Sequence, residues 1–317
     1  MNRRSFLSNA VSAQALAAGA SRPAEQSAGE AAASVTLERP AADRAHAGKV
    51  LAAIQPHSDD IPLFAAGTVA KLLAEGYRGY LIRVTNDDMT GPGSVGEGAR
   101  ANEQDNQEVA RALGCRQAFD LNYGNHRLDE ASIVELRARF IFLIRLLQVD
   151  TVVCYDPWSA YEENPDHYVT ARAVEAACWM AGMSKDYPEH FAAGLRPHSV
   201  REKYYFARGP QLVNRVVDTS AHIEKKIDTL CATKAQGPAG EAGARWRARL
   251  AAEHLRLPLL GDDDRTANRE YIRHFLLAGD AALGQAHGVA YAEQFHYIGP
   301  AEDHIEEQIR RGAVPTR

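Results

Sequence analysis

Two short polar segments of the sequence combine histidine with aspartate in a pattern that suits metal chemistry. The first is PHSDD at residues 56–60, and the second is NPDH at residues 164–167. Two imidazoles and one carboxylate that leave a coordination position open form a common catalytic zinc set, and zinc lowers the pKa of its bound water to about 7. Of the two adjacent aspartates, one can hold the metal while the other accepts a proton from an attacking water. These residues predict metal-assisted hydrolysis.

Each segment follows a stretch that predicts a buried β-strand. The apolar run at residues 50–54 ends just before PHSDD, and DTVVCYD at residues 150–156 comes before NPDH. Strand-like and helix-like stretches alternate up to about residue 185, which predicts an α/β fold with a mostly parallel sheet and helices on both faces. A smaller and less regular C-terminal part follows residue 199. Ligands bind such sheets at the carboxyl ends of the strands, so both segments should open onto one crevice.

Helix capping is the structural alternative for the first segment. Serine and aspartate satisfy the free N–H groups of a first helical turn without any metal. Capping alone does not call for His57, nor for a second His/Asp segment at another strand end, and it can coexist with metal ligation. The metal interpretation is therefore preferred.

Composition excludes some classes of function. The chain has 317 residues, 45% of them hydrophobic, which is enough for one large core or a core with a small subdomain. A formal net charge of −5 offers no basic surface for a nucleic acid, so a small neutral substrate fits better. The four cysteines are widely spaced and predict no thiolate zinc site, although one disulfide stays open if the protein is exported.

The chain divides into four segments by composition. Residues 1–20 contain Arg3-Arg4, then Phe6-Leu7, a weakly apolar run and small residues, and they resemble a Tat signal peptide. This predicts export to the periplasm or the medium; a disordered basic N-terminus is the alternative. Residues 21–47 predict a disordered linker, residues 48–300 the folded domain and residues 301–317 a C-terminal tail. No membrane span is predicted for the mature chain.

Several motifs, taken in order, resemble one known family. HSDD is followed by the small-residue helix AAGTVAKLLAEG, a TND segment, a helix ending in RALG and a later DP...PDH segment. Over about residues 48–185 this pattern resembles the PIG-L/LmbE family of N-acetylglucosaminyl deacetylases. The resemblance implies a Rossmann-like fold and hydrolysis of an acetamide on a glucosamine-type sugar.

The family's motifs also imply roles for individual residues. Its first motif is usually HPDDE, and its second is HPDH. Carried over, they make His57, Asp60 and His167 the ligands of Zn²⁺ and Asp59 the general base. Iron also accepts two histidines and one carboxylate, which leaves Fe²⁺ open as the metal in the cell.

Three residues depart from these motifs: Ser58 in place of Pro, Ile61 in place of Glu, and Asn164 in place of the first His of HPDH. The first two leave the ligands and the base intact. The missing histidine is implied to steady the oxyanion or to protonate the leaving amine, and asparagine can donate a hydrogen bond but cannot carry a proton. Asp59 would then act as both base and acid, unless His126 or His296 assists.

Further residues are candidates for contact with the substrate. Tyr161 precedes Asn164 and is expected to aim its hydroxyl at the oxyanion. Asp129, in the loop NHRLDE, resembles the family's acidic residue that holds sugar hydroxyls. The other candidates, placed at the mouth by the predicted strands, are His126, Arg100, Asn86 and Asp87. For His126 a hydrogen-bonded loop role is the simpler interpretation.

Two other functions stay open at this stage. The same site would serve an amidase of a thiol conjugate or of an acylated natural product. From a different class, Asn164 motivates a catalytically inactive, exported carbohydrate-binding protein, which would bind N-acetyl sugars and release no acetate.

Overall fold

One eight-stranded sheet organises the computed structural model, which describes residues 35–42, 44–300 and 304–314. In chain order the strands are β1 (Thr36–Glu38), β2 (Val50–Gln55), β3 (Arg78–Thr85), β4 (Gln117–Tyr123), β5 (Thr151–Tyr155), β6 (Glu202–Phe206), β7 (Arg215–Asp218) and β8 (Ala292–Ile298). The helices are α1 (Asp60–Phe64), α2 (Ala66–Ala74), α3 (Val95–Leu113), α4 (Ile133–Leu147), α5 (Pro165–Met180), α6 (Pro188–Ala192), α7 (Ile223–Ala232), α8 (Ala242–Ala252), α9 (Asp264–Tyr271), α10 (Ala278–Ala286) and α11 (His304–Gly312).

The predicted mostly parallel α/β fold is confirmed. The strand order across the sheet is β1-β7-β8-β6-β5-β2-β3-β4. Every pair is parallel except those of β8, which runs antiparallel to β6 and to β7. The chain runs outward from β2 through β3 to β4, then returns to β5 on the other side of β2. Right-handed crossovers therefore place α2 and α3 on one face and α4 and α5 on the other.

The centre of the sheet is fully buried because helices cover both of its faces. All six residues of β2 and all five of β5 are buried, and both strands are apolar or β-branched along most of their length. Since β2 and β5 are neighbours that lead to opposite faces, the strand order reverses between them. A crevice opens at this switch point, above the carboxyl ends of both strands.

Three features differ from the pattern expected from the sequence. Residues 36–38, placed in the linker, form β1 beside β7, because a three-residue strand is too short to show a period. Helix α3, which ends in the RALG motif, already begins at Val95, since Ser94 and Glu97 form a capping box after the glycine-rich loop. Within the expected tail, residues 304–312 form α11. The predicted signal peptide at 1–20 and most of the linker lie outside the described residues.

The C-terminal part forms a smaller second core beside the sheet. Ile223, Ile227 and Leu230 of α7 pack with Ile272 and Leu277, and α7 also packs against α3. This arrangement brings the chain after α7 back toward the crevice. Among the described residues, no helix combines the length and the apolar character needed to cross a bilayer.

Candidate metal centre and catalytic cavity

The structure brings His57, Asp60 and His167 together in the crevice. One potential ligand atom from each lies within 4.8 Å of the other two, and all three residues are buried. Nδ1 of His57 is 3.0 Å from Nε2 of His167. The carboxylate oxygens of Asp60 are 3.5 Å from the first nitrogen and 3.6 Å from the second. Lone pairs thus converge on one point from the turn after β2 and from the first turn of α5.

The outward-facing nitrogens of both imidazoles meet carboxylates. Nε2 of His57 lies 3.1 Å from Oδ2 of Asp166 and 3.0 Å from Oδ1 of Asn125. Nδ1 of His167 lies 3.1 Å from Oε1 of Glu162, at ion-pair distance although not aligned as a hydrogen bond. Metal-binding histidines characteristically present their second nitrogen to a carboxylate, which fixes the ring and the tautomer. The donor set therefore fits a divalent cation of the kind that accepts two nitrogens and an oxygen.

The electrostatics of the cluster favour positive charge at the point of convergence. Burial alone would raise the pKa of Asp60, but His167 and His57 outweigh it and lower that pKa to about 2. Burial alone would lower the pKa of His57, but Asp166 and Asp60 outweigh it and raise that pKa well above its usual value. The negative charge around the imidazoles thus favours a cation at the point where the three side chains converge.

Asp59 stands beside this cluster without joining it. It occupies the N-cap position of α1 and makes no side-chain capping hydrogen bond, so the capping alternative does not account for its carboxylate. Burial, reinforced by the negative charge of Asp60, raises the pKa of Asp59 to about 7. A carboxylate that exchanges a proton near neutral pH suits a general base.

The cavity beside these residues has a volume of about 300 Å³ and is open to solvent. Its wall combines both predicted motifs with residues from distant segments. The lining residues are His57, Asp59, Asp60, Leu63, Phe64, Thr90, Asn125, His126, Asn164, His167, Arg208, Gln236 and Pro238.

Asn164 and His126 both reach the cavity wall. Asn164 is the N-cap of α5, and its Oδ1 accepts a hydrogen bond from the backbone N–H of Asp166 at 3.0 Å. The backbone N–H of His126 donates to Oδ2 of Asp166 at 2.6 Å, and its exposed side chain faces the cavity. Asparagine is a favoured N-cap residue, which gives it a structural role at the position where the family's motif has histidine.

Other predicted substrate contacts do not line the cavity. Tyr161 is 89% exposed, and Asp129 is exposed as well. Arg100 lies along α3 in a separate groove, and the Oδ1 of Asn86 accepts from the backbone of Asp88. The positions of strand ends predict which edge of the sheet a loop occupies, but not where its side chains point.

Asp87 and His296 have supporting contacts rather than positions in the cavity. Oδ2 of Asp87 accepts from the backbone N–H of Ser58 at 3.0 Å, which braces the HSDD turn from behind. His296 lies 3.2 Å from Asp156 and packs against the ring of Trp158. Of the two histidines considered as helpers, the structure places His126 in the cavity and His296 outside it.

Several site residues were not singled out from the sequence. Asp166 was visible inside the NPDH motif but carried no assigned role, and Glu162 and Asn125 lie in loops beside predicted motifs. Arg208 and Gln236 had no sequence signal, because they arrive from the end of β6 and from the segment after α7.

Comparison with known proteins agrees with these motifs. Residues 52–178 match the PIG-L family model, described as GlcNAc-PI de-N-acetylase. Diacetylchitobiose deacetylase of Thermococcus kodakarensis is 29% identical over 195 residues, which cover 60% of this chain and 71% of that protein.

Solved structures share the fold. That of N,N'-diacetylchitobiose deacetylase from Pyrococcus horikoshii has a TM-score of 0.63 and 24% identity, covering 79% of this chain and 84% of the other. The 4-carboxy-2-hydroxymuconate hydratase of Pseudomonas putida has a TM-score of 0.58 and 15% identity, covering 81% and 98%. The fold alone therefore does not decide the reaction. The family model and the resemblance of the motifs agree that residues 52–178 match the PIG-L family.

Proposed function

We propose that this protein is a metal-dependent hydrolase that removes the acetyl group from the amine of an N-acetylated sugar. The observation that carries the proposal is the convergence of His57, Asp60 and His167 at the cavity that Asp59 also lines. The relative from Thermococcus kodakarensis, named a diacetylchitobiose deacetylase, supports an N-acetylglucosamine unit as the group recognised.

His57, Asp60 and His167 would hold the metal, through Nδ1, a carboxylate oxygen and Nε2 respectively. A bound Zn²⁺ or Fe²⁺ would supply Lewis acidity to the amide carbonyl and make a water acidic enough to lose its proton near neutral pH. Asp166 and Glu162 would keep both imidazoles oriented.

Asp59 would accept the proton as the water oxygen bonds to the carbonyl carbon of the acetamide. The bond between that carbon and the nitrogen then breaks, and its electron pair stays on the nitrogen. The nitrogen takes up a proton and leaves as the free amine, and acetate is the second product. Asn164, whose Oδ1 is engaged as a cap, can donate from its amide nitrogen to the carbonyl oxygen.

His126 is our candidate for the group that protonates the leaving amine. Of the three imidazoles that line the cavity among the described residues, those of His57 and His167 belong to the metal set. The backbone N–H of His126 donates to Asp166, which places the residue at the wall of the same cavity.

His126→Gln should lower kcat by about a hundredfold, since general acid catalysis contributes on the order of 10²- to 10⁴-fold. Asn164→His should restore part of that loss in the His126→Gln background, because it returns an imidazole to the position used by the family's motif. Unchanged kcat in His126→Gln would show that Asp59 serves as both base and acid.

The substrate assignment is tested by measuring acetate and free amine released from N,N'-diacetylchitobiose, N-acetylglucosamine, a thiol-conjugate amide and an N-acylated natural product. The proposal expects release from the sugars. Release from the last two alone would favour the amidase function, and sugar binding without any release would favour an inactive carbohydrate-binding protein.

Export through the twin-arginine route is proposed from Arg3 and Arg4 together with Phe6-Leu7 and the weakly apolar run that follows them. Changing both to lysine should leave the protein in the cytoplasm, whereas the unchanged chain should reach the periplasm or the medium. Equal distribution of both forms on cell fractionation would contradict the proposal.

A further inference from the structure

A short segment of the C-terminal part covers Asp59. This cover segment, residues 234–240, follows α7, and its Gln236 and Pro238 line the cavity. Gly237 has a φ of +79°, and a Cβ at this position would lie 2.5 Å from Oδ2 of Asp59. The backbone therefore passes against the carboxylate so closely that glycine is needed both for its conformation and for its size.

Gln236 ties the cover segment to the catalytic motif through both ends of its amide. Its Nε2 donates to Oγ of Ser58 at 2.9 Å, and its Oε1 accepts from Oγ1 of Thr90 at 2.8 Å. Ser58 is fully buried, and its hydroxyl donates in turn to Oδ1 of Asn102 at 3.2 Å. Gln236 thus bonds the residue that precedes Asp59 in the chain, Ser58, and the next residue of the cover segment, Gly237, packs against the carboxylate of Asp59.

The ends of the cover segment are fixed separately. Oδ2 of Asp105, on α3, accepts from the backbone N–H groups of Lys234 and Ala235, both at 2.6 Å. At the other end the N–H of Gly240 donates to the carbonyl of Leu230 at 3.0 Å. Between these anchors, Gln236 makes the side-chain connection to the catalytic turn.

The connection depends on a departure of this chain from the family's usual motif. Proline, the usual residue at the position of Ser58, has neither a hydroxyl to accept from Gln236 nor an N–H to donate to Asp87. Counting its bond to Asn102, the serine therefore gives the HSDD turn three hydrogen bonds that an HPDD turn cannot make.

We propose that Gln236 is a positioning residue that holds the carboxylate of Asp59 in place through Ser58 and the cover segment. The inference rests on the proposed function, since it assigns Gln236 to the same reaction. Gln236 makes no hydrogen bond to a predicted metal ligand, so its effect should fall on turnover rather than on metal binding. A misplacement of about 1 Å in a catalytic group can cost on the order of a hundredfold in rate.

The test compares Gln236→Ala, Ser58→Ala and the double variant with wild type. Each single change should lower kcat by about tenfold or more while KM stays within about twofold and the metal content is unchanged. The double variant should lose less than the product of the two single losses, because both changes break the same hydrogen bond between Gln236 and Ser58. The matched control is Gln104→Ala, an exposed glutamine on α3. A rise in KM with kcat unchanged would make Gln236 a substrate contact, and additive losses or unchanged kinetics would equally overturn the proposal.

A second readout separates this inference from the proposed function. Amide hydrogen exchange of the cover segment should accelerate in Gln236→Ala and stay unchanged in Gln104→Ala. If wild type hydrolyses none of the amides tested above, the proposed function fails. Amide hydrogen exchange then decides by itself whether Gln236 connects the cover segment to Ser58. Equal exchange in wild type and Gln236→Ala would contradict the connection whatever the activity.

Discussion

Two buried groups of charged residues in this protein are built differently. The lysine cluster joins Lys226, fully buried on α7, to Asp280 at 2.6 Å and to Glu293 at 2.7 Å. Glu293 also accepts from the backbone N–H groups of Gly67 and Thr68 at the start of α2. The metal site places His57, His167 and Asp60 around one point, with no lysine or arginine among the converging groups.

The difference separates a structural cluster from a functional one. In the lysine cluster a permanent cation faces the carboxylates, so the buried charges satisfy one another. In the metal site the groups that converge are acceptors, apart from any proton held by an imidazole. Burial and negative charge by themselves therefore do not identify a metal site. Lone pairs that converge on one point with no lysine or arginine between them do identify one.

The largest effect should follow removal of a predicted metal ligand. His167→Ala should lose the bound metal and with it essentially all acetate release, since three protein ligands are the usual minimum for a catalytic zinc site. His254→Ala, an exposed histidine after α8, is the matched control and should keep both. A full complement of metal in His167→Ala would remove that residue from the ligand set.

Removal of the lysine from the lysine cluster should lower the stability of the fold by a large amount. The metal site should still bind its metal. Lys226→Met leaves Asp280 and Glu293 without their partner and should lower the free energy of unfolding by about 3–5 kcal/mol. Lys225→Met, an exposed neighbour, should change it by less than about 0.5 kcal/mol. The measurement is denaturant unfolding with metal analysis of the folded protein. If folded Lys226→Met had lost its metal, the lysine cluster would also support the metal site, and the two clusters would not differ in role.

The smallest effect is expected on the pH dependence of stability. It involves Glu38 of β1, which pairs with Lys71 and Arg215. Burial alone would raise the pKa of Glu38, but Lys71 and Arg215 outweigh it and hold that pKa below its usual value. A lowered carboxyl pKa gives stability that is present above the ordinary glutamate range and is lost as the pH falls through the folded-state value. Glu38→Gln should therefore flatten the decline of the unfolding free energy below about pH 4.5, near the glutamate pKa of unfolded chains.

The control for that change is Glu108→Gln, which removes one member of an exposed pair with Arg111. Its acid profile should follow wild type closely, because exposed pairs contribute little. Identical acid profiles for wild type and Glu38→Gln would show that Lys71 and Arg215 do not stabilise the fold through this carboxylate.

The sequence was sufficient for the parts of the site that local structure dictates. HSDD and NPDH each follow a buried strand, so the strand order alone brings His57 and His167 to one edge. The direction in which loop side chains point could not be predicted from the sequence, as the exposed Tyr161 demonstrates. The places of Arg208 and Gln236 could not be predicted either, because they depend on contacts between residues far apart in the chain. Pairing of β6 with β5 brings Arg208 to Glu162, and packing of α7 against α3 brings the segment with Gln236 to the cavity.

The most direct test measures acetate release together with bound metal in wild type and in Asp59→Asn, on N,N'-diacetylchitobiose. The account predicts the same metal content in both proteins, and a kcat lower by about 10²- to 10⁴-fold in the variant, because the base is lost while His57, Asp60 and His167 are intact. Chelation should abolish the activity of wild type, and Zn²⁺ or Fe²⁺ should restore it. Turnover at the wild-type rate by metal-loaded Asp59→Asn, or undiminished activity of metal-free wild type, would contradict it.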